Sequence, residues 1–150
     1  TRSVSGVGNM KGYWNQLEET RAVVTDDGFF RSGDLGAMDE RGFVKFLGRQ
    51  KDVIVVSGFK VYPVEVEAVV KEIVGVKDCA AIPVPDRKSG EAVWLFVVSE
   101  EVGKTEIEDK CRQSLAAYKR PTQIKFIPSL PMKGPGKIDR IALRGIVSLD

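Results

Sequence analysis

The chain has 150 residues, with 23 Lys and Arg against 21 Asp and Glu, a formal net charge of +2; that balance argues against nucleic acid or an anionic membrane as the main partner. Apolar residues make up 43%, enough for a folded core and too many for a disordered chain. Histidine is absent, which excludes Ser-His-Asp and Cys-His catalysis and removes the commonest zinc ligand.

The N-terminal stretch has no apolar signal-peptide core and no initiator Met, as expected of a piece excised or processed from something longer. Asn15 to Thr20 can cover a short helix. Asp26-Asp27-Gly28 is a turn signal, and Phe29-Phe30-Arg31 should be extended. Asp39-Glu40-Arg41-Gly42 is a four-residue turn before the strand Phe43 to Leu47. Nothing here can bury both faces of a sheet, so residues 1–47 read as a fragment that needs a partner body to pack on.

A more complete unit begins near Lys51. Asp52 to Val56 reads as a strand, with Gly58 and Pro63 marking the turn after it. Proline suits the first turn of a helix, where its missing N–H costs nothing. Val66, Val69, Val70 and Ile73 then fall on one helical face, and Gly75 ends that helix. Val76 to Pro83 and Ala92 to Ser99 read as strands around the polar loop Asp86 to Gly90. Thr105-Glu106-Ile107-Glu108 reads as a capping box, opening a helix with Ile107, Cys111, Leu115 and Tyr118 on one face that must end before Pro121. Gln123 to Ile127 is another strand. The glycine-rich loop Met132 to Lys137 precedes a last helix from about Asp139. The order β-α-β-β-α-β-α predicts a compact α+β domain with helices against a small sheet.

Cys79 and Cys111 form neither a metal-type cluster nor a C-x-x-C pair. Each lies in an apolar pattern, so buried free thiols are expected, which fits a reducing, cytoplasmic compartment. The longest apolar run, Ala92 to Val98, is seven residues, against the roughly 20 that a membrane helix takes. There is no internal repeat and no low-complexity tract.

Residues 119–150 carry a net charge of +5 while the rest of the chain is near balance. That suits a local anionic ligand; a solvated tail explains it equally well. Three polar segments could carry chemistry. In Gly134-Pro135-Gly136-Lys137 the glycines allow close backbone approach and the lysine supplies a point charge for phosphate or carboxylate. Ile138 follows instead of Ser or Thr, so this is not a P-loop. In Ser32-Gly33-Asp34-Leu35-Gly36 an exposed carboxylate could accept from two adjacent hydroxyls, as on a ribose. Gly48-Arg49-Gln50-Lys51-Asp52 is a charged link between two apolar strands, suited to a hinge with a ligand-contacting arginine. Each has a plainer reading, as a surface turn, a self-capping aspartate and a solvated connection.

Their order is more informative than any one of them. Met10-Lys11-Gly12-Tyr13-Trp14, Ser32 to Gly36, Gly48 to Asp52, Ser57 to Glu67 (SGFKVYPVEVE), Tyr118 to Pro121 (YKRP) and Leu130 to Arg140 (LPMKGPGKIDR) follow one another. This series resembles the C-terminal part of the AMP-forming acyl-CoA synthetases, within the adenylate-forming superfamily that also holds peptide-synthetase adenylation domains and firefly luciferase. The resemblance runs from about residue 8 to residue 144.

The resemblance implies a division into residues 1–48, the end of a large adenylate-binding domain; 49–51, a hinge; and 52–150, a small mobile domain with a sheet of three-stranded type. It implies that Asp34 holds the ribose hydroxyls of ATP or AMP, and that Arg49 contacts the same ribose and the nearby phosphate. Lys51 takes the hinge position. Gly58 lies beside the channel for the CoA thiol, Lys60 faces the CoA phosphates, and Lys137 serves adenylation. The final block departs from the usual pattern at Gly134-Pro135, which bears on the stiffness of the loop holding Lys137.

The implied activity is ligation of a carboxylic acid, fatty or aryl, to CoA through an acyl-adenylate. ATP, CoA and the large domain of the same chain are the implied partners, and Mg2+ is bound through that absent domain, with no metal ligand assigned here. A carrier-protein thiol is the alternative acceptor. The chain alone, lacking the acyl pocket, is expected to be inactive. The reading from another class is a stand-alone, non-catalytic module that binds a nucleotide, a CoA-like ligand or a protein. Apolar area near Trp14, Phe29 and Phe30 could then make it a homodimer.

Overall fold

The structure, a computed structural model, describes residues 3, 4, 6 and 8–147. It divides into two compact units, Thr1–Lys51 and Asp52–Asp150.

The first unit contains β1 (Ser3–Val4), α1 (Leu17–Val23), β2 (Phe30–Arg31), β3 (Asp34–Met38) and β4 (Val44–Arg49). Strands β1 and β2 pair, as do β3 and β4, all antiparallel. Helix α1 starts two residues later than the spacing predicts, because Asn15 has φ +53° and Gln16 lies outside the helical region. The turn at Asp39 to Gly42 is where the sequence puts it: Asp39 Oδ1 accepts the N–H groups of Arg41 and Phe43 at 3.0 and 2.9 Å. Strand β3 is not legible in the sequence, where its glycines read as an exposed turn. Its register shifts between Leu35 and Gly36, and a Cβ at Gly36 would stand 2.7 Å from Val44 Cγ1. Among the described residues of this unit none is buried, and Trp14 is 89% exposed.

The second unit runs β5 (Ile54–Val56), β6 (Phe59–Val61), α2 (Pro63–Lys71), β7 (Val76–Asp86), β8 (Gly90–Ser99), α3 (Lys104–Ser114), β9 (Gln123–Phe126), β10 (Met132–Gly134), β11 (Lys137–Ile138) and α4 (Arg140–Val147). Its α+β character is as expected, but the main sheet has five strands rather than three, in the order β6-β5-β8-β7 with β9 parallel to β8. Four of these strands are expected from the residues; the one missed is β6, the second strand of the β5–β6 hairpin, which is too short to show alternation. β10 and β11 form a separate hairpin.

β7 is an edge strand, which explains how it tolerates Pro83 and Pro85 within its ladder. Along β7 and β8 the side chains alternate between two cores. Cys79, Ala81, Val93, Leu95 and Val97 join Val66 and Val70 of α2 and Ile107 and Cys111 of α3. Ala80, Ile82 and Phe96 face the other way, onto Leu130 and onto Leu143 of α4. This period-two alternation puts α2 and α3 on one face of the sheet and α4 on the other.

Two expectations fail in detail. The capping box does not form: α3 begins at Lys104 with Gly103 as its N-cap. Thr105 and Glu108 therefore lie inside the helix, where Glu108 pairs with Lys104 at 3.7 Å. Tyr118 does not extend the helical face either. The helix ends at Leu115, which is extended, and Ala117–Lys119 is a 3-10 turn. Gly75 lies beyond the end of α2, in the turn to β7, with φ +97°, and a Cβ there would stand only 3.0 Å from Val102. Both cysteines are free and buried. Among the described residues no helix is long and apolar enough to cross a membrane.

Candidate active site

Asp34 and Arg49 lie 15 positions apart in sequence, and the β3–β4 register sets them directly opposite each other. Arg49 Nε donates to Asp34 Oδ1 at 3.2 Å, and its Nη2 donates to the Ser32 carbonyl at 3.2 Å. Both side chains are half exposed. Water screening keeps such a pair weak, about 0–1 kcal/mol, so its partners can be exchanged at little cost. Among the described residues Asp34 Oδ2 takes no hydrogen bond, which leaves an acceptor for hydroxyls. Gly33, with φ +75°, leads into the strand. Gly33, Arg49, Gln50 and Lys51 line an open cavity of about 510 Å³. The Arg49 guanidinium lines that cavity and the Asp34 carboxylate stands beside it; such a pair offers complementary contacts to a ribose and a phosphate.

Lys51 is the middle residue of a 3-10 turn, Gln50–Asp52. Its neighbours are each fixed within their own unit. The Gln50 N–H donates to the Gly33 carbonyl at 2.8 Å in the first. Asp52 Oδ2 stands 3.7 Å from Arg140 Nε in the second. Short 3-10 turns are common as connectors of this kind.

Gly58 sits at the tip of the β5–β6 hairpin. Ser57 and Gly58 both have positive φ, +50° and +84°, the signature of a two-residue type I′ turn. Nothing lies within 4 Å of a Cβ built at Gly58, so a ligand can approach the backbone there. Lys60 follows on β6 opposite Val55, exposed. Beside it the rings of Phe59 and Tyr118 stack at 4.8 Å. Lys119 reaches Glu65 at 2.8 Å, which holds its ammonium above the usual lysine range.

Lys137 is exposed on the β10–β11 hairpin, where it pairs with Gly134; Gly136 has φ +66°. Among the described residues its amine has no ion-pair partner. The structure thus brings Asp34 and Arg49 together and groups Gly58 with Lys60, while Lys137 stands on a hairpin of its own. The thiols are poor nucleophiles: burial pushes Cys79 up to about 12 and also raises Cys111. Among the described residues no three His, Cys, Asp or Glu are grouped to hold a metal ion.

One feature of the second unit escapes the sequence reading, the contacts of Arg140 with Asp52, Glu67 and Ala81. A signal was present. Glu67 interrupts the apolar face of α2 between Val66 and Val70 and is nonetheless buried, and a buried carboxylate demands a partner.

Residues 65–137 match the family model of the AMP-binding enzyme C-terminal domain, and the chain is homologous to the C-terminal portion of the AMP-forming acyl-CoA synthetases. It is 44% identical over 143 residues to a long-chain-fatty-acid–CoA ligase of Salmonella typhimurium, covering 94% of this chain and 25% of that protein. It is 39% identical over 137 residues to the long-chain-fatty-acid–CoA ligase FadD13 of Mycobacterium tuberculosis, covering 90% and 27%. Among solved structures, ATP-bound MatB from Rhodopseudomonas palustris is similar with a TM-score of 0.88 at 37% identity, over 96% of this chain and 29% of that one. The o-succinylbenzoate CoA synthetase MenE of Bacillus subtilis, in complex with its acyl-adenylate intermediate, gives 0.89 at 31%, over 95% and 29%. The chain therefore spans about a quarter of the length of the curated relatives it matches.

Proposed function

We propose that this chain is the part of an acid–thiol ligase that carries the mobile domain, and that the whole protein joins a carboxylic acid to CoA through an acyl-adenylate. The observation that carries this reading is the likeness to fatty-acid–CoA ligases over 94% of the chain. It takes in the Asp34–Arg49 pair and the Lys137 hairpin together. The first unit's lack of any buried residue among those described supports its belonging to a larger body. In this reading residues 1–48 complete the large domain, 49–51 turn, and 52–150 move.

In the first step a substrate carboxylate attacks the α-phosphorus of ATP, and pyrophosphate leaves. Negative charge crowds between two anions as they meet. The Lys137 ammonium neutralises it more in the transition state than in the separated reactants, and so speeds the reaction. Asp34 accepts from the ribose hydroxyls, and Arg49 donates to the ribose and phosphate. In the second step the CoA thiol attacks the acyl carbonyl and AMP leaves. Lys137 is then unnecessary, and rotation at Lys51 withdraws it and presents the Gly58 turn, with Lys60 toward the CoA phosphates. The isolated chain, without an acyl pocket, turns over neither step.

In the full-length protein, Lys137→Ala should lower acid-dependent pyrophosphate release by about 10²–10³-fold, the typical loss on removing one preorganised charge-stabilising donor. Thioester formation from supplied acyl-adenylate should stay near its original rate. Unchanged pyrophosphate release in that variant would refute the assignment.

A further inference from the structure

Arg140 opens α4 three residues after Lys137. Its side chain is 19% exposed, and each nitrogen of its guanidinium has a different task. Nη1 donates to the Ala81 carbonyl at 2.6 Å. Nη2 stands 2.8 Å from Glu67 Oε1, and Nε stands 3.7 Å from Asp52 Oδ2. Glu67 Oε1 also accepts the Ala81 N–H at 2.9 Å. Ala81 lies on β7, the edge of the sheet. Glu67 and Arg140 thus satisfy the exposed backbone edge at Ala81 from either side, and in pairing they join α2 on one face to α4 on the other. A lysine also has three donors, but all on one nitrogen at the end of a flexible stem, so it does not reproduce the spread of these contacts over three nitrogens.

The orientation of the Lys137 hairpin follows from that of α4. The Asp139 N–H donates to the Pro131 carbonyl at 2.8 Å, closing the base of the hairpin. Asp139 Oδ1 caps the helix through the N–H groups of Ile141 and Ala142, each at 3.0 Å. Ile138 packs against the core cluster containing Leu143. Asp52, the third partner of Arg140, is the residue directly after Lys51 and the first of the second unit.

We propose that Arg140 is a positioning residue, which joins the Lys137 hairpin to the C-terminal side of the hinge so that a turn about Lys51 carries Lys137 as part of one rigid piece. This rests on the roles given to Lys137 and Lys51 above. A guanidinium that only stabilised the sheet edge would affect both half-reactions alike. One that aims Lys137 affects adenylation alone, because the Gly58 turn belongs to a different hairpin.

The test uses the full-length protein and measures acid-dependent pyrophosphate release separately from thioester formation on supplied acyl-adenylate. Arg140→Met should slow the first by up to about 10²-fold, the scale of loss from an ångström-sized misplacement, and leave the second near its original rate. Arg140→Lys should recover only part of the loss. Added to Lys137→Ala, Arg140→Met should cost nothing further, since it acts through the group already removed. Equal slowing of both half-reactions, or full additivity with Lys137→Ala, overturns the proposal. Should Arg140→Met fail to fold, Glu67→Gln, which keeps the acceptor for Ala81 but removes the charge that orients Arg140, must give the same selective loss; two unchanged rates overturn the proposal. The Lys137→Ala arm alone decides the underlying reading: if it leaves pyrophosphate release intact, the role of Lys137 itself is wrong.

Discussion

Burial pushes the Cys79 thiol up to about 12, against about 8.5 for a free cysteine. Between those values the native state holds a proton that the unfolded chain has lost. The thiol's contribution to stability is therefore whole below the unfolded value and declines as pH rises through the window above it. Iodoacetamide at pH 8–9 should leave Cys79 unmodified in the native chain and label it readily in denaturant. Rapid native labelling at pH 8 would show that the thiol is not held in the core. That both cysteines are buried was legible from their apolar neighbours. The partners of Asp34 and Arg140 were not, because a cross-strand register and a contact between opposite faces of a sheet are set by tertiary packing. Glu67 marks the limit: its polarity on an apolar helix face signals an ion pair, but nothing local says that Arg140 answers it.

Among the elements, those long enough to repeat their pattern were readable. Helix α2 shows its 3.6-residue period, and β7 and β8 show long apolar runs punctuated by a polar loop. β3, β6, β10 and β11 are two to five residues long and lie beside glycines, so their alternation never completes a convincing cycle. The start of α3 was misplaced because Thr105 and Glu108 have capping-box spacing, yet Gly103 takes the cap position. Helix α4 rests on its sheet face chiefly through Leu143, its one buried residue among those described. Leu143→Ala should therefore destabilise the chain by about 2–5 kcal/mol, the range for a buried leucine truncated to alanine. The readout is the midpoint of urea unfolding, and a shift below about 0.5 kcal/mol, typical of surface changes, would mean that α4 does not depend on that contact.

At the scale of the whole chain, the two units differ in kind. The second has two cores on either side of one sheet, whereas the described residues of the first bury nothing fully. That contrast was legible early, since the first 47 residues hold too little apolar sequence to cover two faces of a sheet. The proposed hinge falls in Gly48 to Asp52, a charged link between apolar strands that the sequence already suits to a hinge; only the resemblance singles out Lys51 within it. The proposed swing of the second unit about Lys51 is tested by Lys51→Pro in the full-length protein, because proline restricts both its own φ and the backbone of Gln50. The measurement is the single-turnover rate of each half-reaction, adenylation from ATP and thioester formation from supplied acyl-adenylate. One rate should stay near that of the unsubstituted protein while the other falls severely; two rates that are unchanged, or that fall by the same factor, would contradict a rotation between the steps.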